Sequence, residues 1–338
     1  MLKVSIIGAS GYAGAQLTAL VHQHPVMQLK GLYVSASSAD AGKLFTQVAG
    51  EYRHFPDLPL EPLCQSGCGA LADSSDLVFL CTPHQFSHDV MPQLINKQAK
   101  IFDLSGAYRL PDLDTFAAFY GFANQHPSIQ QKAVYGLAEW FADDIANTSL
   151  VAVPGCYPTA SLTGLLPLQR TGLLDTAFRP VINAVSGVTG AGRKASLTTS
   201  FCEVSLQAYG VLSHRHTPEI ESYLDHQVIF TPHLGNFKRG ILATITAKLN
   251  PEVTANDVEQ AFLRHYRHQP LVRLTSAFPK VDDVVNSPFA DVHWQVDEQS
   301  HYVVIGCAID NLLKGAASQA MQCANLAFDL PPTQGLLP

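Results

Sequence analysis

KVSIIGASGYAG, residues 3 to 14, decides the fold: an apolar strand-like run, then glycines at 8, 11 and 14, then a helical run from Tyr12 to His24. A G-x-x-G-x-x-G turn in that context predicts a phosphate cradle. Glycine lets the backbone approach a pyrophosphate, and the amides at a helix start face the anion. Gly8, Ser10, Gly11, Tyr12, Ala13 and Gly14 are its candidate cofactor contacts. A tight strand-to-helix turn without a ligand fits the same residues, so the context rather than the pattern carries the reading.

Outward from that turn, the chain alternates LKGLYVS, DLVFLCTP, a helical run from Ser87 to Gln98, and KIFDLSG. Such alternation predicts an α/β fold whose first domain is a doubly wound, parallel Rossmann sheet. The second strand ends in VSASSADAGK, where an NAD site would place a carboxylate on the ribose. Here Ser35, Ser37 and Ser38 stand instead, with Lys43 nearby, a set that accepts a 2'-phosphate and favours NADP, although Asp40 is close in sequence.

After VPGCYPTAS (153–161) a helix runs from Thr159 to about Gln169, and the pattern then changes. ILATITAKL (241–249) puts Ile241, Ala243, Ile245, Ala247 and Leu249 on one face and threonines with Lys248 on the other, a half-covered strand. A helix capped at Thr254 and running to Arg267, then LVRLT and a hairpin of ADVHWQV and HYVVIGCAI around DEQS, predict an α+β second domain. Its threonine face suits a partner's sheet. The alanine-rich end, Leu312 to Phe328, reads as a helix returning to the first domain, and PPTQGLLP as a frayed tail. The expected domains are 1–152 with about 311–330, and 153–310.

With 338 residues, a net charge of -7 and no basic run, the chain is a poor binder of nucleic acid or anionic membranes and suits small-molecule work. The longest uncharged run, Ile145 to Gln169, is broken by Pro154 and Pro158, which argues against a membrane span. No export signal is visible at Met1, so a cytoplasmic protein is expected. Seven scattered cysteines argue against a disulfide framework. Cys64 and Cys68 lack the second pair that zinc requires and read as surface or loop residues, so no metal is expected.

Cys156 follows a glycine at a helix start, where the field favours thiolate and nearby amides can hold an oxyanion. Pro158 suits a first helical turn. A buried structural cysteine fits this stretch equally well. A nucleophilic thiol needs a base, and HRHTPEIE (214–221) offers two histidines.

GASGYAG, VPGCYPTA, SGVTGAGRKA (186–195), HRHTPEIE, TPHL (231–234), RGILATI (239–245) and DNLLKGAA (310–317) occur in this order. Together they resemble the N-acetyl-gamma-glutamyl-phosphate reductases, relatives of aspartate-semialdehyde dehydrogenase and, more distantly, of glyceraldehyde-3-phosphate dehydrogenase. One departure is GNFK (235–238), where that family usually has a proline-methionine pair. The resemblance implies that Cys156 is the nucleophile and that the general acid/base is His216, with His214 as its rival. It also places Arg109 and Arg193 at the substrate's anionic groups, where a structural ion pair is the competing role for each. Ser186, Gly187 and Asn311 would surround the nicotinamide, and Thr82 and Pro83 would line the cofactor crevice. It further implies a homo-oligomer, dimer or tetramer, acting on a small acyl phosphate in arginine biosynthesis. The alternatives are aspartate-semialdehyde dehydrogenase, a non-catalytic NADP-sensing protein and, last, a Cys-His hydrolase that would have no use for the glycine loop.

Overall fold

Val4, Ile6 and Ile7 are sealed from solvent, as a strand covered on both faces requires, and they anchor β1 (Leu2–Ile7). The computed structural model describes residues 1–337. Its chain separates into two units, Met1–Pro154 with the segment from Ala316 on, and Gly155–Gly315.

In the first unit β1 is followed by β2 (Met27–Ser35), β3 (Leu60–Leu63), β4 (Leu77–Leu80), β5 (Lys100–Asp103), β6 (Val134–Tyr135) and β7 (Leu150–Ala152). All pair in parallel, in the order β3-β2-β1-β4-β5-β7-β6. The order reverses between β1 and β4, whose ends pair at Ile7 and Leu80. Ligands of open α/β sheets bind beyond the carboxyl ends of strands at such a switch point. Gly8 follows one of these strands and Thr82 the other.

Three helix boundaries differ from the sequence reading, one of them the helix expected from Thr159, which begins at Cys156. The helix after β4 is His84–Leu94, because Pro83 caps it and Pro92 sits in its last turn. The C-terminal helix is Ser318–Ala327, preceded by a π-turn over Leu313–Ala317. It joins the first unit through Gln319, which donates to the Gly136 carbonyl at 2.8 Å, and Gln322, which donates to Glu139 at 2.9 Å. The tail after it is held rather than frayed: Asn325 donates to the carbonyls of Pro332 (3.3 Å) and Gln334 (2.9 Å), and its carbonyl oxygen meets His24 at 3.1 Å.

The second unit contains β8 (Val181–Ser186), β9 (Gln207–Ala208), β10 (Ile229–Leu234), β11 (Ile241–Lys248), β12 (Val272–Leu274), β13 (Ala290–Asp297) and β14 (Tyr302–Ile309). They form a mixed sheet in the order β12-β13-β14-β11-β8-β10-β9. β11 buries Ile241, Ala243, Ile245 and Ala247 while Thr244 faces solvent, the alternation its sequence carries. The helix Cys156–Arg170 packs against this sheet, with Gly164 close to Ile245 and Ile305. Pro167 lies inside that helix and cannot donate to the Thr163 carbonyl four residues back. The phenol of buried Tyr266 donates to that carbonyl at 2.8 Å and replaces the missing bond. Among the described residues no helix is long and apolar enough to cross a membrane.

Tyr266→Phe leaves the Thr163 carbonyl buried without that donor. It should lower unfolding stability by about 1–3 kcal/mol in denaturant titrations, and an unchanged midpoint would refute this repair.

Candidate active site

From Leu150 to Leu168 every residue is buried except Cys156, which is partly exposed. The thiol is the first residue of the Cys156–Arg170 helix, with Gly155 as N-cap at φ -68° and ψ 155°. Amides of a first turn have no acceptor within the helix, and Pro158 contributes none, so the remaining donors concentrate around Cys156. By contrast Cys68, Cys307 and Cys323 are buried, and burial pushes the Cys68 thiol up to about 11. Cys68 is therefore a core residue, not the surface cysteine expected, while Cys64 is exposed. No disulfide joins the seven cysteines, and no cluster of metal-ligating side chains occurs among the described residues.

The helix His216–Leu224 packs against the cysteine helix, and the two are tied at their starts. The Gly155 amide donates to Glu219 at 2.8 Å, and Glu219 is 0% exposed. His216 is buried at the head of its helix, its ring 5.9 Å from that of Tyr157. His214 is caged by Tyr157, Tyr209 and Phe230 at ring separations of 5.7, 5.4 and 5.6 Å, and lies 4.8 Å from His216. Its Nδ1 accepts the His216 amide at 3.1 Å, so the neutral ring carries its proton on Nε2. Burial, then the charge of Arg215, lowers its pKa to about 4. Tyr209 donates to the Tyr157 hydroxyl at 3.2 Å, which donates to the His233 carbonyl at 3.0 Å.

A second support reaches Cys156 from the DNLLKGAA segment. Asp310 accepts the amides of Leu312 (2.8 Å), Leu313 (2.9 Å) and Asn286 (2.7 Å) and the Arg239 guanidinium (2.5 Å), while its carbonyl takes the Gly315 amide at 2.9 Å. The turn so formed lays Gly315 directly on Cys156. A Cβ there would stand 2.8 Å from Cys156 Cβ and 3.2 Å from its Cα. Neighbouring Asn311 accepts the Gly240 amide at 2.7 Å and donates to Thr189 at 2.9 Å. This fixes the loop that begins at Ser186 and Gly187. Val188 and Thr189 donate to the carbonyls of Phe237 (2.9 Å) and Lys238 (3.0 Å), so GNFK holds that loop through its backbone.

In the first unit Gly8 adopts φ 88°, and a side chain there would run into the Cys81 carbonyl. The helix Tyr12–Gln23 starts at Gly11 without a side-chain cap on its first amides. Gly8, Ser10, Gly11, Tyr12, Ala13 and Gly14 thus form one turn at the end of β1. Ser35 and Ser37 are exposed at the end of β2, their hydroxyls 3.0 Å apart. Ser38 receives the Asp40 amide at 3.1 Å, and Lys43 donates to the Asp40 carboxylate at 3.2 Å. Thr82 meets the Ser87 hydroxyl at 2.7 Å beside Pro83. Arg109, also in this unit, is 5% exposed and donates to the carbonyls of Val153 and Leu104, both at 2.7 Å. Arg193 lies exposed in the second unit.

Sequence reasoning assigned no role to Glu219, Tyr209, Asp310 or Gly315. Glu219 sits three residues after His216, on the same helical face, a signal the spacing contains. Nothing near Tyr209 marks it.

Family models match both units: the semialdehyde dehydrogenase NAD-binding domain over residues 3–148 and its dimerisation domain over 156–311. Proteins described as N-acetyl-gamma-glutamyl-phosphate reductase from Pseudoalteromonas atlantica and Alteromonas mediterranea are each 56% identical over 100% of this chain, covering 98% and 100% of their own lengths. The chain belongs to the N-acetyl-gamma-glutamyl-phosphate reductase family. Its fold is shared with aspartate semialdehyde dehydrogenase II of Vibrio cholerae (TM-score 0.72, 15% identity, 97% of this chain and 98% of that one). The Candida albicans aspartate semialdehyde dehydrogenase, solved with NADP, gives a TM-score of 0.66 at 15% identity over 96% and 98%. As a member of the reductase family the protein is an oxidoreductase with a nicotinamide-nucleotide domain.

Two outcomes follow for this reductase. Gly315→Ala forces Cys156 to shift, and if this thiol reacts, an error of ~1 Å there costs on the order of 10²-fold. Its kcat should fall by that order while nucleotide affinity is unchanged, and near-normal turnover would show that the contact is slack. His214 has its pKa lowered in the fold, so the unfolded chain binds more protons between pH 4 and 6.5. The stability this confers is complete above about pH 6.5 and is lost as pH falls towards about 4. His214→Phe should flatten that part of a stability-against-pH curve, and an unaltered slope would contradict it.

Proposed function

We propose that this chain reduces N-acetyl-L-glutamyl 5-phosphate to N-acetyl-L-glutamate 5-semialdehyde and phosphate, with NADPH as donor, through a thioacyl intermediate on Cys156. The observation that carries this reading is the partial exposure of Cys156 at the start of an otherwise buried helix tied to the His216 helix. The matching relatives are described by that activity.

His216 is the base. A ring whose pKa is near 4 and whose Nδ1 holds a backbone amide, as in His214, is a poor acceptor for a thiol proton at neutral pH. His216 takes the proton from Cys156, and the thiolate attacks the acyl carbon. The first-turn amides stabilise the oxyanion, and phosphate leaves with a proton from His216. The dihydronicotinamide, when bound, supplies hydride to the thioester carbon. The resulting thiohemiacetal anion breaks its carbon-sulfur bond, releasing the semialdehyde and regenerating the thiolate, which takes up a solvent proton through His216, neutral since it protonated phosphate. Arg193, exposed beside the SGVTGAG loop, is assigned to the substrate's anionic group. Arg109, directed at Val153 and Leu104, is assigned as a strut.

In the first unit the glycine turn suits the pyrophosphate of the dinucleotide, with Thr82 and Pro83 following the strand paired beside it. NADP is favoured over NAD because Lys43 neutralises Asp40, removing the repulsion a 2'-phosphate would meet, and Ser35, Ser37 and Ser38 offer hydroxyls. The same reading places the protein in the cytoplasm, in arginine biosynthesis, as a homo-oligomer with the Rossmann and catalytic domains dividing near 152–155 and 311–316.

The test measures phosphate-dependent reduction of NADP and of NAD with N-acetylglutamate semialdehyde, and repeats it with aspartate semialdehyde. Turnover with the acetylated aldehyde and NADP is expected, and its absence with both nucleotides would sink the assignment. Cys156→Ser should abolish turnover while leaving NADPH binding intact, whereas retained activity would rule out the thioacyl route.

A further inference from the structure

Cys64 and Cys68, in the first unit, have no part in the mechanism above. Cys64 follows β3 and is exposed, whereas Cys68 is sealed in a core cluster with Leu71, Val78 and Leu80. One closed turn carries both. The Gly67 amide donates to the Cys64 carbonyl at 3.1 Å, and the Cys68 thiol donates to the same carbonyl at 3.7 Å. Residues four apart on one helical turn have Cα atoms about 6 Å apart, within the range of about 4.4–6.8 Å that a disulfide spans.

The two thiols differ in reactivity. The Ser66 hydroxyl lies 3.2 Å from the Cys64 sulfur, and this bond, followed by the Gly67 amide, holds that thiol below its ordinary range. Burial, then the charge of Cys64, pushes Cys68 up to about 11. Susceptibility to oxidation follows thiolate character and exposure, and an oxidised sulfur beside a second thiol closes to a disulfide. Cys64 has the first two properties and Cys68 supplies the second thiol.

We propose that Cys64 and Cys68 form an oxidative modification site that closes to a disulfide, with hydrogen peroxide as the oxidant. The Cys64 thiolate attacks one peroxide oxygen, the O–O bond breaks, and Cys64 sulfenic acid and hydroxide are formed. The Cys68 sulfur then attacks the Cys64 sulfur, and its proton leaves with the sulfenic hydroxyl as water as the S–S bond forms. Each sulfur gives up one electron, and the two peroxide oxygens end as hydroxide and water.

To reach Cys64, the Cys68 sulfur must leave the core cluster, against which Leu63 and Tyr33 pack. Leu63 is the register partner of Ser35, and the Leu60 amide donates to the Lys43 carbonyl at 2.8 Å. Oxidation thus loosens the strand against which Ser35 and Lys43 are set, and lowers affinity for NADPH. This last step rests on the nucleotide reading proposed above.

The test uses the full chain carrying Cys156→Ser, so that peroxide cannot act at that thiol. After peroxide treatment and blocking of free thiols, the peptide that contains both cysteines is weighed by mass spectrometry, and NADPH affinity is measured by calorimetry on the same sample. The peptide should lose two hydrogens and regain them with dithiothreitol, and NADPH should bind severalfold more weakly in the oxidised protein. Adding Cys64→Ser, at an exposed position, should abolish both changes, with circular dichroism as a check on folding. A peptide that stays reduced, or that only gains oxygen at Cys64, would overturn the disulfide. A disulfide with unchanged NADPH affinity would overturn its coupling to the nucleotide. A reduced protein that binds no NADPH would overturn the nucleotide reading, while the peptide mass still decides the modification site.

Discussion

The second unit of the protein depends on how one helix start is held. The amide of Gly155 is given to a carboxyl with no exposure, Glu219, and the Cα face of Gly315 lies against Cys156 from the other side. Neither contact touches the thiol itself. Together they fix the direction in which the first-turn amides and the sulfur point. A helix terminus can favour an anion only where its unsatisfied donors are aimed, since the effect fades within one turn. The strength of the arrangement therefore lies in its geometry more than in any single interaction energy.

The same logic explains the polar core around Asp310. A buried carboxylate costs free energy unless its lone pairs are occupied, and this one receives three amides and a guanidinium. Those donors convert a costly group into a template for the π-turn that brings Gly315 to Cys156. π-turns are rare and concentrate at functional sites because they spend regular hydrogen bonding on a particular placement. Asn311 extends the template to Thr189 and Gly240, so the loop from Ser186 and the support of Cys156 share adjacent residues.

Much of this was legible in the sequence where local pattern and tertiary role coincide. KVSIIGASGYAG announces strand, turn and helix because the Gly8 backbone needs φ 88° and the helix start needs no side-chain cap. ILATITAKL shows its buried face by alternation, and the position of Cys156 follows from glycine and proline on either side. Other features were illegible for a physical reason. The roles of Glu219 and Gly315 arise from close approach between segments distant in sequence, which no local pattern encodes. The end PPTQGLLP looked frayed because its composition favours turns, but in its described residues, 331–337, Asn325 binds the carbonyls of Pro332 and Gln334; Pro338 lies outside the described residues. The helix was read straight through Pro167, and nothing local showed that Tyr266, 99 positions away, supplies the donor its Thr163 carbonyl would otherwise lack.

The two histidines illustrate how far residue type falls short of role. His214 and His216 are identical in chemistry and two positions apart, yet the chain turns into a helix between them. The first lies outside that helix and accepts an amide of its opening turn, as capping side chains do. A protonated His214 would have to surrender that amide and carry charge beside Arg215 inside an aromatic cage, so the fold itself opposes its protonation. His216 begins the helix that carries Glu219, and is thereby tied to the support of the cysteine. A proton acceptor must hold its place while its charge changes, and a capping ring cannot do so without loosening the helix it caps. In the proposed mechanism, the different roles of these two residues are a consequence of where the helix starts.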